Sequence, residues 1–229
     1  MRLAVVALQI VLFGCAACAQ TVAPQPAQPA HPAQAPTLQD AEQAYSAVSN
    51  SVADLLWVRS DYYYHSGEWD SVIALYYRVI DLDPTFAEAY VNCAFLIWSR
   101  KTPQAYKEAV ALYDRGIKAN PNSWVIPLEC GQFLVDHMRL AKKMTEAQAA
   151  KAGIPYLRLA AQNADKGAPL EKRAAVWRAL GHALRRAGQT EAAVRTFKRV
   201  LEFNPGDAVA LKELSKLEPQ QSPGRGESK

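Results

Sequence analysis

One eighteen-residue pattern occurs twice in the chain and limits what it can fold into. GEWDSVIALYYRVIDLDP occupies residues 67–84, and GQTEAAVRTFKRVLEFNP occupies residues 188–205. Each copy begins with glycine, places apolar residues at helical spacing and closes on proline. Internal repetition of this kind indicates a repeat architecture, in which each unit exposes an apolar face that it buries against the next unit.

The segment before the second copy completes a longer pattern. Residues 174–187, AAVWRALGHALRRA, place their larger apolar side chains on one face of a helix. The landmarks of the whole segment are Trp177, Leu180, Gly181, Leu184, Ala193, Phe197 and Pro205. They resemble the tetratricopeptide repeat, a helix-turn-helix unit of about 34 residues with the pattern W-x2-L-G-x2-Y, A-x3-F and P. Leu184 replaces the aromatic residue, and the resemblance is strongest over residues 174–207.

The spacing of these landmark residues serves as a grid that can be extended over the rest of the chain. It predicts four repeats, at about residues 53–86, 87–123, 124–173 and 174–207. The small residues predicted where the two helices of each repeat touch are Ser60, Ala94, Gly131 and Gly181. The aromatic residues predicted to pack against them are Tyr76, Tyr113, Tyr156 and Phe197. Prolines close repeats one, two and four, whereas repeat three lacks this proline and is longer.

Helices are predicted on both sides of the repeats. The stretch from Thr37 to Asp40 reads as a capping box that opens a helix to about Asn50, and Ser51 offers a second helix start. Residues 207–217 read as a terminal capping helix, and residues 220–229 as a disordered tail. The sequence therefore predicts an all-α, right-handed α-solenoid of about four helix pairs with flanking helices, over residues 38–219.

The N-terminus has the features of a targeting segment. An apolar run from Leu3 to Gly14 has the length of a signal sequence and is shorter than the roughly 20 residues of a spanning helix. Leu12-Phe13-Gly14-Cys15 resembles the lipobox of bacterial lipoproteins, in which the cysteine carries the lipid. Ala17-Cys18-Ala19 instead offers an ordinary cleavage site, and an uncleaved anchor is a third alternative. All three predict export, to the periplasm or as an outer-membrane-anchored lipoprotein, with secretion as the alternative.

Residues 20–37 form a linker between this segment and the repeats. Its five prolines and its lack of charge prevent it from burying enough surface to fold. In polyproline II conformation it would span about 50 Å. A tether of this kind is suited to holding a domain away from a membrane surface.

The sequence shows no motif for catalysis or for metal binding. A chain that is 50% hydrophobic and 21% charged can bury a core. Its histidines and cysteines show no metal-ligand spacing, and no nucleophile elbow or phosphate loop occurs. We therefore expect no enzyme activity, cofactor or metal. The net charge of +4 is concentrated in the C-terminal half, but export and mixed charges elsewhere argue against nucleic-acid binding.

Two cysteines raise the question of a disulfide. Cys93 and Cys130 each precede a small contact residue in the first helix of successive repeats. Equivalent positions on packed helices lie about 8 to 10 Å apart, whereas a disulfide needs Cα atoms about 4.4 to 6.8 Å apart. Both are predicted to be small core residues.

The resemblance implies a concave groove lined by the first helices. Carried over residue by residue, the groove residues are Trp57, Asp61, Tyr64, His65, Val91, Phe95, Trp98, Ser99, Leu128, Gln132, Val135, Asp136, Arg178, His182, Arg185 and Arg186. The groove is thus predicted to be aromatic at one end and cationic at the other. Two alternatives remain: the aromatic residues belong to the core, and the arginines form a solvated face. Trp57 and Leu128 stand where the family's carboxylate clamp has polar residues, which argues against chaperone-tail recognition.

The sequence predicts an exported protein-interaction module that binds a peptide or protein partner in this groove. Partner-binding residues are expected to be Trp57, Tyr64, Phe95, Trp98, Arg178, His182, Arg185 and Arg186, and the membrane would be contacted only through a lipid on Cys15. The layout is similar to envelope lipoproteins that help to assemble pili or outer-membrane proteins. The alternative is a structural module that self-associates through an exposed apolar surface.

Overall fold

The computed structural model describes residues 38–137 and 144–218. Within these ranges the chain forms helices joined by short turns, with no strand. The helices are α1 (Leu38–Ser66), α2 (Trp69–Leu82), α3 (Ala87–Ser99), α4 (Pro103–Ala119), α5 (Val125–Asp136), α6 (Glu146–Gly167), α7 (Leu170–Arg186), α8 (Thr190–Phe203) and α9 (Ala208–Leu217). Each packs on the next along the chain, and α5 also contacts α3 and α7. This stacking confirms the predicted helical solenoid.

The repeated glycines make the turn within two helix pairs. Gly67 lies between α1 and α2, Gly188 lies between α7 and α8, and both have φ of 76°. The amide that follows each glycine donates back into the preceding helix, from Glu68 to Tyr63 O and from Gln189 to Leu184 O, both at 2.9 Å. Glycine enters this left-handed region without steric cost, so the same residue opens both copies of the pattern.

The second helices end close to the prolines. α2, α4 and α8 end at Leu82, Ala119 and Phe203, two residues before Pro84, Pro121 and Pro205. Proline disfavours helical geometry in the residue before it, so each helix stops there and the next pair begins. At the C-terminal end, the Asp207 side chain accepts a hydrogen bond from the Ala210 amide and caps α9.

The close contact in repeat four is confirmed. A Cβ atom at Gly181 would lie 2.8 Å from Cε1 of Phe197, whose ring is completely buried. Only glycine lets α7 and α8 approach over this ring. The prediction for repeat three is wrong by one residue, because a Cβ at Gly131 would meet Leu157, 2.6 Å from its Cγ, instead of Tyr156. The Tyr156 hydroxyl donates to Asp114 in α4 at 2.9 Å.

The predicted break in the first helix is also wrong. α1 runs without interruption over 29 residues, through Asn50 and Ser51. The Ser51 hydroxyl donates to the carbonyl of Ala47, 2.9 Å away in the preceding turn. Because this side chain bonds within the helix, it does not cap a new one.

The two central cysteines are buried and unbridged, as predicted. Cys93 and Cys130 are free thiols with no exposed surface. Burial raises the pKa of Cys93 to about 12 and that of Cys130 further. Cys15, the N-terminal segment, the linker and the C-terminal tail lie outside the described residues.

Candidate functional site

Three adjoining cavities follow the first helices of the repeats. The first, of about 360 Å³, lies between α1 and α3; the second, of about 520 Å³, between α3 and α5; and the third, of about 280 Å³, between α5 and α7. Neighbouring cavities share residues: Asn92 and Phe95 line the first two, and Gln132 and Asp136 line the last two. The cavities therefore form one continuous groove along α1, α3, α5 and α7, here called the first-helix groove.

Aromatic side chains build the first cavity. Trp57 is half-buried, with its ring centroid 5.1 Å from that of Tyr76 and 5.0 Å from that of Phe86. Tyr64 is 44% exposed and sets its ring edge against Trp69. Trp57 thus has both predicted roles, since it packs on the core and lines the cavity, while Tyr64 forms an exposed wall.

The second cavity combines an exposed ring with a packed one. Phe95 is 51% exposed, and its ring meets that of Trp98 edge-on at 5.4 Å. Trp98 stacks on His137 at 4.2 Å and lies close to Phe133. Phe95 is therefore available to a ligand without rearrangement of the fold. Trp98 already packs in the interface between repeats two and three.

Glu129 also lines the second cavity and was missed by the sequence argument. Burial raises the pKa of its carboxyl group. It lies two residues before the small contact residue Gly131. The residues at the same offset in repeats two and four, Asn92 and Ala179, also line the groove. The grid could have found it, because this offset falls on the same helix face in repeats two, three and four.

The C-terminal end of the groove contains charge pairs rather than free cations. Arg185 Nε lies 3.1 Å from Glu213, and Arg186 lies 2.6 Å from Asp136 and 3.3 Å from Glu146. These carboxylates come from α9, α5 and α6, and they offset the arginine charges. The expected cationic end is corrected accordingly: the arginines are in place, but carboxylates from neighbouring helices neutralise them.

Arg178 lies outside the three cavities. Its guanidinium donates to Asp207, whose side chain is 2% exposed and also caps α9. Arg178 therefore ties α7 to the terminal helix. The other seven partner-binding residues predicted from the sequence all line the first-helix groove.

His182 is the histidine that lines the third cavity. Its ring is half-buried and lies edge-on to Phe197, 5.3 Å between centroids. Burial lowers the pKa of His182, and Arg185, Arg186 and Arg178 add to this effect, while Glu213 opposes it. The neutral imidazole is therefore favoured in the folded protein.

Residues 38–137 and 144–218 contain neither a metal-ion cluster nor a candidate membrane span. There, no group of three His, Cys, Asp or Glu side chains is arranged to hold a metal ion. None of the helices in these ranges combines the length and the apolar character needed to cross a bilayer.

The comparisons with known proteins agree with this architecture. A family model described as tetratricopeptide repeat matches residues 174–217, which comprise most of α7 and all of α8 and α9. No curated protein matches the sequence.

Solved structures of similar fold include those of pilF, PilW and MamA. pilF of Pseudomonas aeruginosa is 17% identical with a TM-score of 0.53, covering 74% of this chain and 68% of that one. PilW, a widely conserved type IV pilus biogenesis factor, is 20% identical with a TM-score of 0.51, covering 73% and 69%. MamA is 17% identical with a TM-score of 0.51, covering 72% and 80%. Identities this low show the fold alone, which is that of a helical solenoid. The family model adds that the chain carries a tetratricopeptide repeat at residues 174–217.

Proposed function

We propose that this protein is an interaction module of the bacterial cell envelope that binds a peptide or protein segment in the first-helix groove. The observation that carries the proposal is the sharing of lining residues between successive cavities, which makes one groove across four first helices. Solenoids of stacked helix pairs use extended surfaces of this kind for binding.

The aromatic end supplies the anchor for the ligand. Phe95 is half exposed, with Trp98 beside it, and Trp57 lines the first cavity together with Phe95. Aromatic side chains that become covered at the centre of an interface contribute much of its binding energy. An acidic segment at the other end would have to compete with the carboxylates already paired to Arg185 and Arg186. The ligand is therefore selected mainly by an apolar or aromatic side chain that packs on Phe95.

The variant Phe95→Ala tests this assignment. Immobilised protein captures partners from an envelope extract, and a synthetic peptide covering the captured segment is then titrated against each variant. We expect Phe95→Ala to weaken peptide binding by about 30-fold, the effect of losing a contact worth about 2 kcal/mol.

Leu211→Ala is the matched control. Leu211 is 49% exposed on α9 and lines none of the three cavities, so its loss should leave the affinity unchanged. Equal peptide affinity for the original chain and Phe95→Ala, with intact helical circular dichroism, would show that the first-helix groove is not the binding surface.

The envelope location rests on the N-terminal sequence. The Leu12–Cys15 segment supports lipidation of Cys15, and the proline-rich linker after it supports a domain held away from a membrane. Mass spectrometry of the protein from its native envelope should find an acylated Cys15 as the first residue. Cys15→Ser should abolish acylation and Cys18→Ser should not. A mature chain that begins at Gln20 without lipid would refute the anchor.

A further inference from the structure

α1 carries a second apolar surface that is separate from the groove. Starting at Leu38 and ending at Tyr62, the surface follows alternating steps of three and four residues along the helix. Its apolar members are 38% to 78% exposed: Leu38, Tyr45, Val48, Val52, Leu55 and Tyr62. We call this set the α1 seam.

The α1 seam is not used by the fold. With about 100° of rotation per residue, the middle of the seam lies about 110° from the buried positions Ala53 and Ser60 and about 140° from Tyr64 in the groove. Along residues 38–48, every side chain described is exposed. This part of α1 extends beyond the solenoid, and a helical segment of that length without packing partners is marginal in water.

The spacing of the seam specifies the shape of its partner. Apolar residues at alternating intervals of three and four form the seam through which one helix packs along another. The helix spans about 36 Å between Leu38 and Tyr62 at 1.5 Å per residue. A partner must therefore present a helix of similar length with the same periodicity.

We propose that the α1 seam binds the α1 seam of a second copy of this chain, as an antiparallel pair. About a twofold axis at residue 50, Val48 meets Val52, Tyr45 meets Leu55 and Leu38 meets Tyr62 of the other copy. The seam is thus complementary to itself, with a large side chain opposite a large one and valine opposite valine. Self-association was the alternative function predicted from the sequence, and α1 gives it a defined surface.

Arg59 selects the antiparallel direction. It occupies a seam position, and its guanidinium folds over the rings of Tyr62 and Tyr63 at 4.6 and 5.0 Å without an ion pair to any described residue. In a parallel pair it would face Arg59 of the other copy, and like charges repel. In the antiparallel pair it faces Ala41, where there is space, with Glu42 next along the helix to receive its charge.

The extension of α1 fits the same arrangement. Residues 38–48 of each copy would lie beside the C-terminal half of the other α1, the half that packs on α2. Two tyrosines and four aliphatic side chains per copy give a buried area on the order of 1,000 Å² in total, at the lower end of specific interfaces. The expected product is a reversible dimer.

Sedimentation equilibrium of the full chain, in neutrally buoyant detergent at micromolar concentrations, tests the proposal. We expect a concentration-dependent dimer. Val48→Asp should raise its dissociation constant by at least about a hundredfold, because each dimer would bury two unpaired carboxylates. Val48 is 64% exposed, so the variant should keep the helical circular dichroism of the original chain. Leu211→Asp places the same charge on exposed α9 and should leave the dimer intact.

A charge exchange tests the direction. Arg59→Glu and Glu42→Arg should each weaken the dimer, and the double variant should restore it, since the pair is then reversed. A chain that stays monomeric, or a dimer unaffected by Val48→Asp, overturns the proposal. Failure of the double variant to recover overturns the antiparallel arrangement. Phe95→Ala leaves the α1 seam intact, so groove binding and dimerisation can fail independently.

Discussion

Repeats three and four solve the same packing problem in different ways. In repeat four, Gly181 makes room for the buried ring of Phe197. In repeat three, two glycines face each other: a Cβ at Gly153 would lie 2.6 Å from the carbonyl oxygen of Gly131. One pair of helices is separated by an aromatic ring and the other meets backbone to backbone. A small residue in the first helix therefore indicates close approach, but it does not identify what fills the space.

The helix lengths follow from this difference. α8 has 14 residues, whereas α6 has 22 and continues past the contact with Gly131 on both sides. α6 also contains Pro155, which lacks the amide that would donate to the preceding turn. Repeat three thus compensates for its irregular second helix with a longer one and a closer contact.

The largest expected effect is the removal of the ring from repeat four. Phe197→Ala should lower the free energy of unfolding by about 3 to 5 kcal/mol, because the ring is fully buried and would leave a cavity. Tyr156→Phe, at the predicted counterpart in repeat three, should cost only about 0.5 to 1.5 kcal/mol, for one lost hydrogen bond to Asp114. Urea unfolding measures both. Equal losses would mean that the hydrogen bond from Tyr156 to Asp114 stabilises repeat three as much as the buried ring of Phe197 stabilises repeat four.

An intermediate effect is expected for Gly153→Ala. The added methyl group would press on the Gly131 carbonyl and on Val135, and neither a backbone oxygen nor a buried valine yields readily. The cost of overpacking, about 1 to 3 kcal/mol, should outweigh the gain of up to about 1 kcal/mol in helix propensity.

Gly167→Ala is the matched control for this change. Apart from its two chain neighbours and the nearby backbone of its own helix, nothing lies within 4 Å of the position of its added Cβ, so this variant should be neutral or slightly stabilising. Thermal unfolding of both variants compares them directly. A Gly153→Ala variant that melts at or above the original chain would show that α5 and α6 are not in backbone contact.

The smallest expected effect is a difference between the two repeats in how the free energy of unfolding depends on pH. His182 in repeat four corresponds to Gln132 in repeat three. Because burial lowers the pKa of His182, the unfolded chain binds its proton more readily than the folded chain. The stability contributed by neutral His182 is therefore present above the ordinary histidine pKa of about 6.5 and is lost as the pH falls.

His182→Gln should accordingly make the free energy of unfolding less dependent on pH between about 5 and 7. Unfolding in urea at both ends of this range measures the slope. Glu213 also has a lowered pKa, but it titrates below this window. An unchanged slope would mean that His182 is as accessible to protons in the folded chain as in the unfolded one.

The sequence was sufficient for what depends on local pattern. The landmarks of residues 174–205, including Gly181 and Phe197, occur at the spacing of a single helix pair, and the predicted solenoid is confirmed. Cys93 and Cys130 could be assigned to the core because neighbouring helices are too far apart to bridge them. The groove positions rest on the same periodicity, and their role in binding stays a prediction.

What the sequence could not give depends on choices between neighbouring residues or on distant partners. Ser51 can cap a helix or bond back within one, and only the surrounding helix decides. Tyr156 and Leu157 are adjacent, so a rotation of α6 by one residue exchanges their roles. The charges of Arg185 and Arg186 were visible, but their carboxylate partners come from other helices and appear only when the chain is folded.

The hydrophobic core is divided into two clusters, and the division passes through α5. Leu134 belongs to the cluster that extends back to Ala53, and the adjacent Val135 to the one that extends forward to Leu214. In mechanical terms, a tensile force applied between the ends of the solenoid passes from one cluster to the other across the 12-residue helix α5, with the hydrogen bond from Tyr156 in α6 to Asp114 in α4 as a second connection. We expect the two clusters to respond as stiff segments in series, with elastic strain concentrated near α5. The second and third cavities lie on either side of α5. Tension is therefore expected to widen the groove most at its centre.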